Sequence, residues 1–378
     1  MTHIEWSEGG AAHTARWRSE SGWPAPKKIV VADDTMNADT AYRLALDGTA
    51  LLWRGDFQNA RQLLQALVRR VEHKGDRARR VKAAKTPVPP LEAFHRHRLQ
   101  QLQRARTLAM LLVPFEAGHT IPLRRAPDAR LACLEAYGVA DEPYVASLRE
   151  LLGVIGAHEW RRKGVHIPAL DERIHPWYGV FSPVRGEYVE LVAQAPLPAG
   201  AKLAFDIGAG TGVLSAVLAR RGLQVLATDM DARALGCARE NISRLGLAQQ
   251  VDIIEADLFP EGRAPLVLCN PPWLPGKPSS AIEYAVYDPD SRMLRGFLDG
   301  LAAHLESDGE GWLILSDLAE HLGLRPREQL LGWIAAAGLE VVTRHDTRPV
   351  HGKASDPDDP LHAARSKEVT SLWRLRAA

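Results

Sequence analysis

The 378-residue sequence predicts an α/β protein: an open, mainly parallel sheet in the carboxy-terminal part, preceded by a mainly helical, basic amino-terminal domain. Three observations lead there. From residue 187 onward, short apolar runs alternate with amphipathic helical stretches, the pattern of strands joined by crossover helices. The first strand, residues 201–205, runs into Asp206-Ile207-Gly208-Ala209-Gly210-Thr211-Gly212 and then a helical stretch, 213–220, which reads as strand, tight turn, helix. Each polar motif downstream falls at the carboxyl end of a strand, the edge at which open parallel sheets bind ligands.

Taken in order, residues 187–193 form a helix whose apolar Val189, Leu191 and Val192 pack on the sheet. The glycines after Asp206 let the backbone pass close to a ligand, and the helix N-terminus beyond them favours polar or negative groups. The third glycine is Gly212, whereas a dinucleotide fingerprint places Gly or Ala at the position of Val213, which argues against a nicotinamide site. Residues 224–227 are the second strand, ending in Thr228-Asp229, an acidic residue placed for ribose hydroxyls, with Met230 beside it to pack on a base. A third strand, 251–255, leads to Asp257-Leu258-Phe259, and a fourth, 265–269, ends in Asn270-Pro271-Pro272-Trp273. Residues 294–305 are amphipathic, with Leu294, Phe297, Leu298, Leu301 and Leu305 at helical spacing. Residues 312–315 are the fifth strand, 328–337 a helix closed by Gly338, and 339–343 and 369–375 the last two strands. Between those two, 345–367 holds His351, Asp356, Asp358, Asp359 and His362; its acidic stretch reads as a solvated loop, and no structural metal is expected.

In order and residue type, the stretch from about residue 174 to the end resembles the class I S-adenosylmethionine-dependent methyltransferases. The resemblance implies a Rossmann-like, seven-stranded sheet with an antiparallel hairpin at its edge, S-adenosyl-L-methionine as cofactor, and a role for each motif. Asp206 would lie near the methionine amino group, and Gly208, Gly210 and Gly212 beside the methionine and ribose. Asp229 would take the ribose hydroxyls, with Met230 against the base, and Asp257 with the Leu258 backbone would read the adenine edge. The segment Tyr178-Gly179-Val180-Phe181-Ser182-Pro183-Val184-Arg185-Gly186-Glu187-Tyr188 resembles the one that covers the cofactor in amine and amide methyltransferases, with Phe181 and Arg185 nearest to it.

The Asn270 run specifies the reacting atom. An exocyclic or amide nitrogen has its lone pair delocalised into a π system, and two acceptors aimed at its hydrogens favour the tetrahedral geometry that frees that pair. The side-chain oxygen of Asn270 and the carbonyl of Pro271 are those acceptors, and Trp273 stacks on the flat substrate group. Positioning and electrostatics then carry the rate. In the families it resembles, the run is typical of enzymes acting on adenine amines in DNA or RNA, guanine amines in ribosomal RNA, and the glutamine amide of release factors. Those families mostly carry Tyr or Phe where Trp273 stands; Trp keeps the stacking face but is bulkier.

The net charge of +1 hides an asymmetry. Residues 1–178 carry 27 Lys and Arg against 20 Asp and Glu, the remainder 20 against 26, and residues 61–106 alone carry 13 against 3. That basic segment, with Arg77, Arg79, Arg80 and Lys82 at its centre, spans two predicted helices. The first, 56–73, has Phe57, Leu63, Leu64, Leu67, Val68 and Val71 on its apolar face and Asp56 as its cap; the second is 91–113. Such a patch attracts a polyanion through counterion release, so residues 1–170 read as a substrate-recognition domain and 171–378 as the catalytic one. Cys133, Cys237 and Cys269 lack metal-ligand spacing and no stretch is long enough to span a membrane, which suggests a reducing, cytoplasmic setting. The expected function is N-methylation of an exocyclic base amine in RNA, with ribosomal RNA favoured. The alternatives are a glutamine-amide methyltransferase acting on a translation factor, and a non-catalytic cofactor-binding, RNA-binding protein; the presence of the whole Asn270-Pro271-Pro272-Trp273 run argues against the last.

Overall fold

The computed structural model describes residues 2–83, 88–183, 186–278, 281–349 and 356–378, and the side chains within them outside 73–83 and 281–282. The chain divides into two compact units, Met1–Glu159 and Trp160–Ala378.

The first unit contains β1 (His3–Glu8), β2 (Ala11–Trp17), β3 (Lys28–Ala32), α1 (Ala38–Leu46), β4 (Thr49–Trp53), α2 (Phe57–Ala83), α3 (Pro90–Leu108), β5 (Leu111–Phe115), α4 (Arg130–Tyr137) and β6 (Tyr144–Ser147). Helical residues outnumber strand residues, yet the frame is a six-stranded sheet, ordered β1-β2-β6-β5-β4-β3, that the sequence reading did not foresee. Strands β3, β4 and β5 run parallel, and every residue of β4 and β5 is buried. The expected helix over 91–113 is corrected here: α3 ends at Leu108, and the next apolar run becomes β5. A helix presents only one face of such a run to a core, whereas a strand between β4 and β6 buries Leu111, Leu112 and Val113 completely. Helix α2 starts where expected, with the Gln58 N–H donating to Asp56 Oδ1 at 2.8 Å, but continues ten residues beyond residue 73. The side chains of Arg77, Arg79, Arg80 and Lys82 lie outside the described residues.

Helix α5 (Leu148–Lys163) carries the chain into the second unit. There follow a hairpin of β7 (Val165–Ile167) and β8 (Glu172–Ile174), α6 (Glu187–Gln194), β9 (Leu203–Ile207), α7 (Val213–Arg220), β10 (Gln224–Asp229), α8 (Ala232–Arg244), β11 (Val251–Glu255) and β12 (Ala264–Cys269). A two-residue ladder of β13 (Leu274–Pro275) and β14 (Tyr287–Asp288) precedes α9 (Arg292–His304), β15 (Leu305–Ser316), α10 (Leu318–His321), α11 (Arg327–Ala336), β16 (Leu339–Thr347), α12 (His362–Arg365) and β17 (Thr370–Ala377). Residue 170, where the sequence reading divides the chain, falls between β7 and β8.

Seven strands form one sheet, ordered β11-β10-β9-β12-β15-β17-β16, parallel except for β17, which runs antiparallel to both neighbours. The side-chain alternation of the central strands feeds a core on each face. Ala204, Leu266, Leu268, Trp312 and Ile314 point to one cluster, with Val213, Val217, Ala238 and Ile242 of α7 and α8. Phe205, Val267, Leu313 and Leu315 point to the other, with Phe297 and Leu301 of α9 and Leu330 and Ile334 of α11. The acidic loop before α12 is built of turns: Asp356 Oδ1 accepts the Asp358 N–H and Asp359 Oδ1 that of Leu361, while His351 lies outside the described residues.

The status of β5 is directly testable. Leu112→Ala should destabilise the protein by about 2–5 kcal/mol, as deletion of a fully buried side chain does. A urea midpoint shifted by no more than an exposed-helix substitution would return residues 109–113 to the end of α3.

Candidate active site

The chain winds outward in one direction from β9 through β10 to β11 and in the other from β12 to β15, so the order reverses between β9 and β12. Crossover helices leave a crevice above the strand ends at such a reversal. Here a cleft of about 450 Å³ opens, bordered by the loops that follow β9, β10, β11 and β12.

The loop after β9 is held by two bonds to one acceptor: the Gly208 and Ala209 N–H groups donate to Thr228 O at 2.9 and 2.8 Å. Gly208, Gly210 and Gly212 all have positive φ, which only glycine adopts without strain. Their surroundings differ. A Cβ on Gly208 would meet Met293 Cε at 2.6 Å, and one on Gly212 would press on Ala238 of α8 at 3.3 Å, whereas Gly210 faces open space. Gly208 and Gly210 line the cleft; Gly212 does not, and its lack of a side chain serves the packing of α7 on α8.

Asp206 lies behind the loop rather than in the cleft wall. It is 1% exposed, and its Oδ2 accepts the Ser215 hydroxyl. Burial, reinforced by the negative charge of Asp229, pushes its carboxyl up to about 6 against the pull of Ser215. Asp229, at the end of β10, does line the cleft. Its Oδ2 accepts the Gly210 N–H at 3.0 Å and its Oδ1 that of Asp231 at 2.9 Å; burial still raises its pKa above the ordinary value. Met230 stands beside it, 56% exposed. These two carboxylates are costly to bury, and a hydroxyl-rich, cationic ligand is the chemistry that relieves them.

After β11, Asp257 pairs with Arg292 at 2.6 Å, and both line the cleft. Leu258 has φ +72, a strained value for a leucine, and its carbonyl accepts the Thr228 hydroxyl at 2.5 Å. The backbone there is held open toward the cleft by a side chain from the neighbouring strand. Phe181 borders the cleft with Gly179 and Val180; Arg185 lies outside the described residues.

At the end of β12, Asn270, Pro271, Pro272 and Trp273 all line the same cleft. Trp273 donates its indole N–H to Asn270 Oδ1 at 2.9 Å. Its ring meets Tyr188 edge to face, with centroids 6.4 Å apart, and its carbonyl accepts from the buried Arg325. The segment that follows returns through β14 to Asp288, whose buried carboxylate accepts the Met293 and Leu294 N–H groups, both at 3.0 Å, and so fixes the start of α9. That places Met293 against Gly208.

Sequence reasoning missed the outer parts of the cleft. Tyr284, 66% exposed, and Tyr287 come from the segment after Trp273. Leu318 comes from the start of α10, after β15, and Arg365 and Glu368 from the end of α12 and the link to β17. No motif marks these positions; only the antiparallel insertion of β17 beside β15 brings residues 318 and 368 together, and Glu368 there accepts the Ser316 hydroxyl at 2.7 Å.

Residues 178–325 match the methyltransferase small domain family. A release factor glutamine methyltransferase of Gloeobacter violaceus is 35% identical over 131 residues, covering 33% of this chain and 43% of that protein. A tRNA1(Val) (adenine(37)-N6)-methyltransferase of Shewanella is 31% identical over 144 residues, covering 35% and 60%. A ribosomal RNA small subunit methyltransferase C of Alcanivorax borkumensis is 43% identical over 70 residues, covering 18% and 21%. The chain spans about half the length of the first two of these relatives. Strand order, the cleft at the reversal and this match define the class: the carboxy-terminal unit is a class I methyltransferase domain, whose methyl donor is S-adenosylmethionine. Within the class, the matched residues are those of the methyltransferase small domain, and they run from the Phe181 segment through the Asn270 run to Arg325.

The buried carboxyl gives a pH test. Asp206 has an ordinary value of 3.8 and a folded value of about 6. With the folded value raised, folding is unpenalised below 3.8, where both states hold the proton, and most penalised above 6, where both release it. Asp206→Asn should therefore gain stability relative to the parent as pH rises from 4 to 6, by up to roughly 3 kcal/mol. Parallel stability curves for the two proteins across that range would contradict the burial argument.

Proposed function

We propose that the protein binds S-adenosylmethionine in the cleft and transfers its methyl group to a planar nitrogen, an exocyclic base amine in RNA. The observation that carries this reading is the juxtaposition of the Asn270 run with Gly208, Gly210 and Asp229 in one cleft. On this reading Asp229 accepts the ribose hydroxyls, Met230 and Phe181 flank the adenine, Asp257 and the Leu258 backbone read its edge, and Asp206 acts from behind the loop on the donor's positive charge. When bound, the cofactor supplies a methyl carbon on a cationic sulfur that leaves as a neutral thioether. Asn270 Oδ1 and the Pro271 carbonyl accept the two N–H bonds of the amine, so that its lone pair is freed toward the methyl carbon. The amine gains the charge that sulfur loses, and one of its protons then passes to solvent. No strong base is needed.

RNA as acceptor is supported by the tRNA and ribosomal RNA activities named for two relatives and by the basic charge of residues 61–106. We assign the amino-terminal unit to holding that RNA. Among the described cations of residues 61–106, Arg70 pairs with Asp39, Arg96 with Glu92 and Arg104 with Glu72 on the surface; such exposed pairs are weak enough to open toward a phosphate. The second reading, methylation of a glutamine amide in a translation factor, is favoured by the release factor relative and uses the same two acceptors on the same kind of nitrogen. Among the described residues no helix is long and apolar enough to cross a membrane. The cysteines Cys133, Cys237 and Cys269 are buried and free, and we propose a reducing, cytoplasmic setting on that ground.

Asn270→Ala separates chemistry from binding. Calorimetry should show S-adenosylmethionine bound as tightly as by the parent, while single-turnover transfer to ribosomal RNA transcribed in vitro falls by roughly a hundredfold or more. Transfer at the parental rate would reduce the Asn270 run to a turn.

A further inference from the structure

An aromatic ring that only stacks on a substrate has no use for a polar edge, yet the one polar atom of the Trp273 ring is committed to Asn270 Oδ1 at 2.9 Å. We propose that Trp273 is a positioning residue: its indole N–H selects the orientation of the Asn270 amide in which oxygen, not nitrogen, is the atom turned to the acceptor amine. This rests on the reading of Asn270 as that amine's hydrogen-bond acceptor.

A primary amide has almost the same shape in its two orientations, but rotation by half a turn replaces an acceptor oxygen with two donor hydrogens. Turned the wrong way, Asn270 sets N–H against the N–H of the substrate, and the freeing of the lone pair is lost. The indole nitrogen is a donor and never an acceptor. It is satisfied by the Asn270 oxygen alone, and the reversed amide would leave two donors opposed inside the cleft. The oxygen has two lone pairs, so the bond to Trp273 leaves one for the substrate.

Trp273 is itself held in place. Its ring packs against the core clusters on both faces of the sheet, stands edge to face with Tyr188 at an interplanar angle of 89°, and its carbonyl accepts from Arg325 at 3.3 Å. Tyr188 is 3% exposed and Arg325 2% exposed, so neither prop is free to follow a swinging ring. A phenylalanine here would offer the same stacking face without any preference between the two amide orientations. The constraint is therefore one that phenylalanine at this position cannot supply.

The test removes the N–H and keeps the ring. Trp273→Phe, and site-specific replacement of Trp273 by 3-benzothienylalanine, which puts sulfur where the N–H stood, are assayed with S-adenosylmethionine and ribosomal RNA transcribed in vitro. In both, kcat should fall about fivefold, the size of one neutral hydrogen bond lost from the transition state. KM for the RNA and cofactor affinity by calorimetry should stay at parental values. In an Asn270→Ala background the same replacements should cost nothing further, because the effect passes through Asn270 alone. A 3-benzothienylalanine enzyme with parental kcat would overturn the proposal, as would an equal loss with and without Asn270. The sulfur analogue keeps the size of the ring, so it decides the matter even if the Phe variant folds poorly. Full activity in Asn270→Ala alone would instead remove the acceptor reading on which the proposal rests.

Discussion

Because the chain winds one way from β9 and the other way from β12, no crossover covers the gap above their carboxyl ends, and the second unit is organised around that gap. The loop after β9 enters it from one side and the Asn270 run from the other, a result of β9 and β12 being hydrogen-bonded neighbours, with Asp206 opposite Leu268 and Ile207 opposite Cys269. Two sites distant in sequence thus become adjacent. On the proposed function, a methyl donor lying along the β9 loop ends beside the Asn270 run.

The supports of this gap are polar groups committed one by one. Thr228 is the centre of them: its carbonyl takes the Gly208 and Ala209 N–H groups, and its hydroxyl holds the strained Leu258 backbone. Asp288 fixes α9, and α9 supplies Met293 against Gly208 and Arg292 to Asp257. What these bonds leave behind is an electrostatic imbalance, since burial raises the pKa of both Asp206 and Asp229. On the proposed function that imbalance has a use: a sulfonium and an ammonium bring positive charge to the place where two carboxylates are held short of water, so the cofactor stabilises the fold as it binds.

How legible this was in the sequence depended on the range of the interaction. The glycine turn, Asp229, Asp257 and the Asn270 run were readable because each is a short polar stretch at the end of a strand, set by local chain geometry, and all but Gly212 and Asp206 among the expected cleft residues described border the cleft. Those two illustrate the limit. The motif says that Gly212 needs no side chain and that Asp206 is acidic, but only the packing of α8 on α7 and the Ser215 hydroxyl behind the loop show what each one touches. In the first unit, β4 and β5 are five-residue apolar runs with no alternation, which period alone does not distinguish from part of a helix. The basic segment, conspicuous in composition, carries no positional information of that kind. Leu318, Arg365 and Glu368 were invisible for a related reason, since their approach depends on β17 entering the sheet between β15 and β16.

On the proposed function, the cleft delivers a methyl group to a planar base nitrogen of RNA. The decisive measurement is mass spectrometry of nucleosides from ribosomal and transfer RNA, alongside peptides of translation factors, from cells with and without the gene. The expected result is the loss of one methyl mark on an exocyclic amine of an RNA base, restored by the parent gene. Loss of a methyl group from a glutamine side chain, with every RNA mark intact, would overturn the RNA reading in favour of a protein substrate.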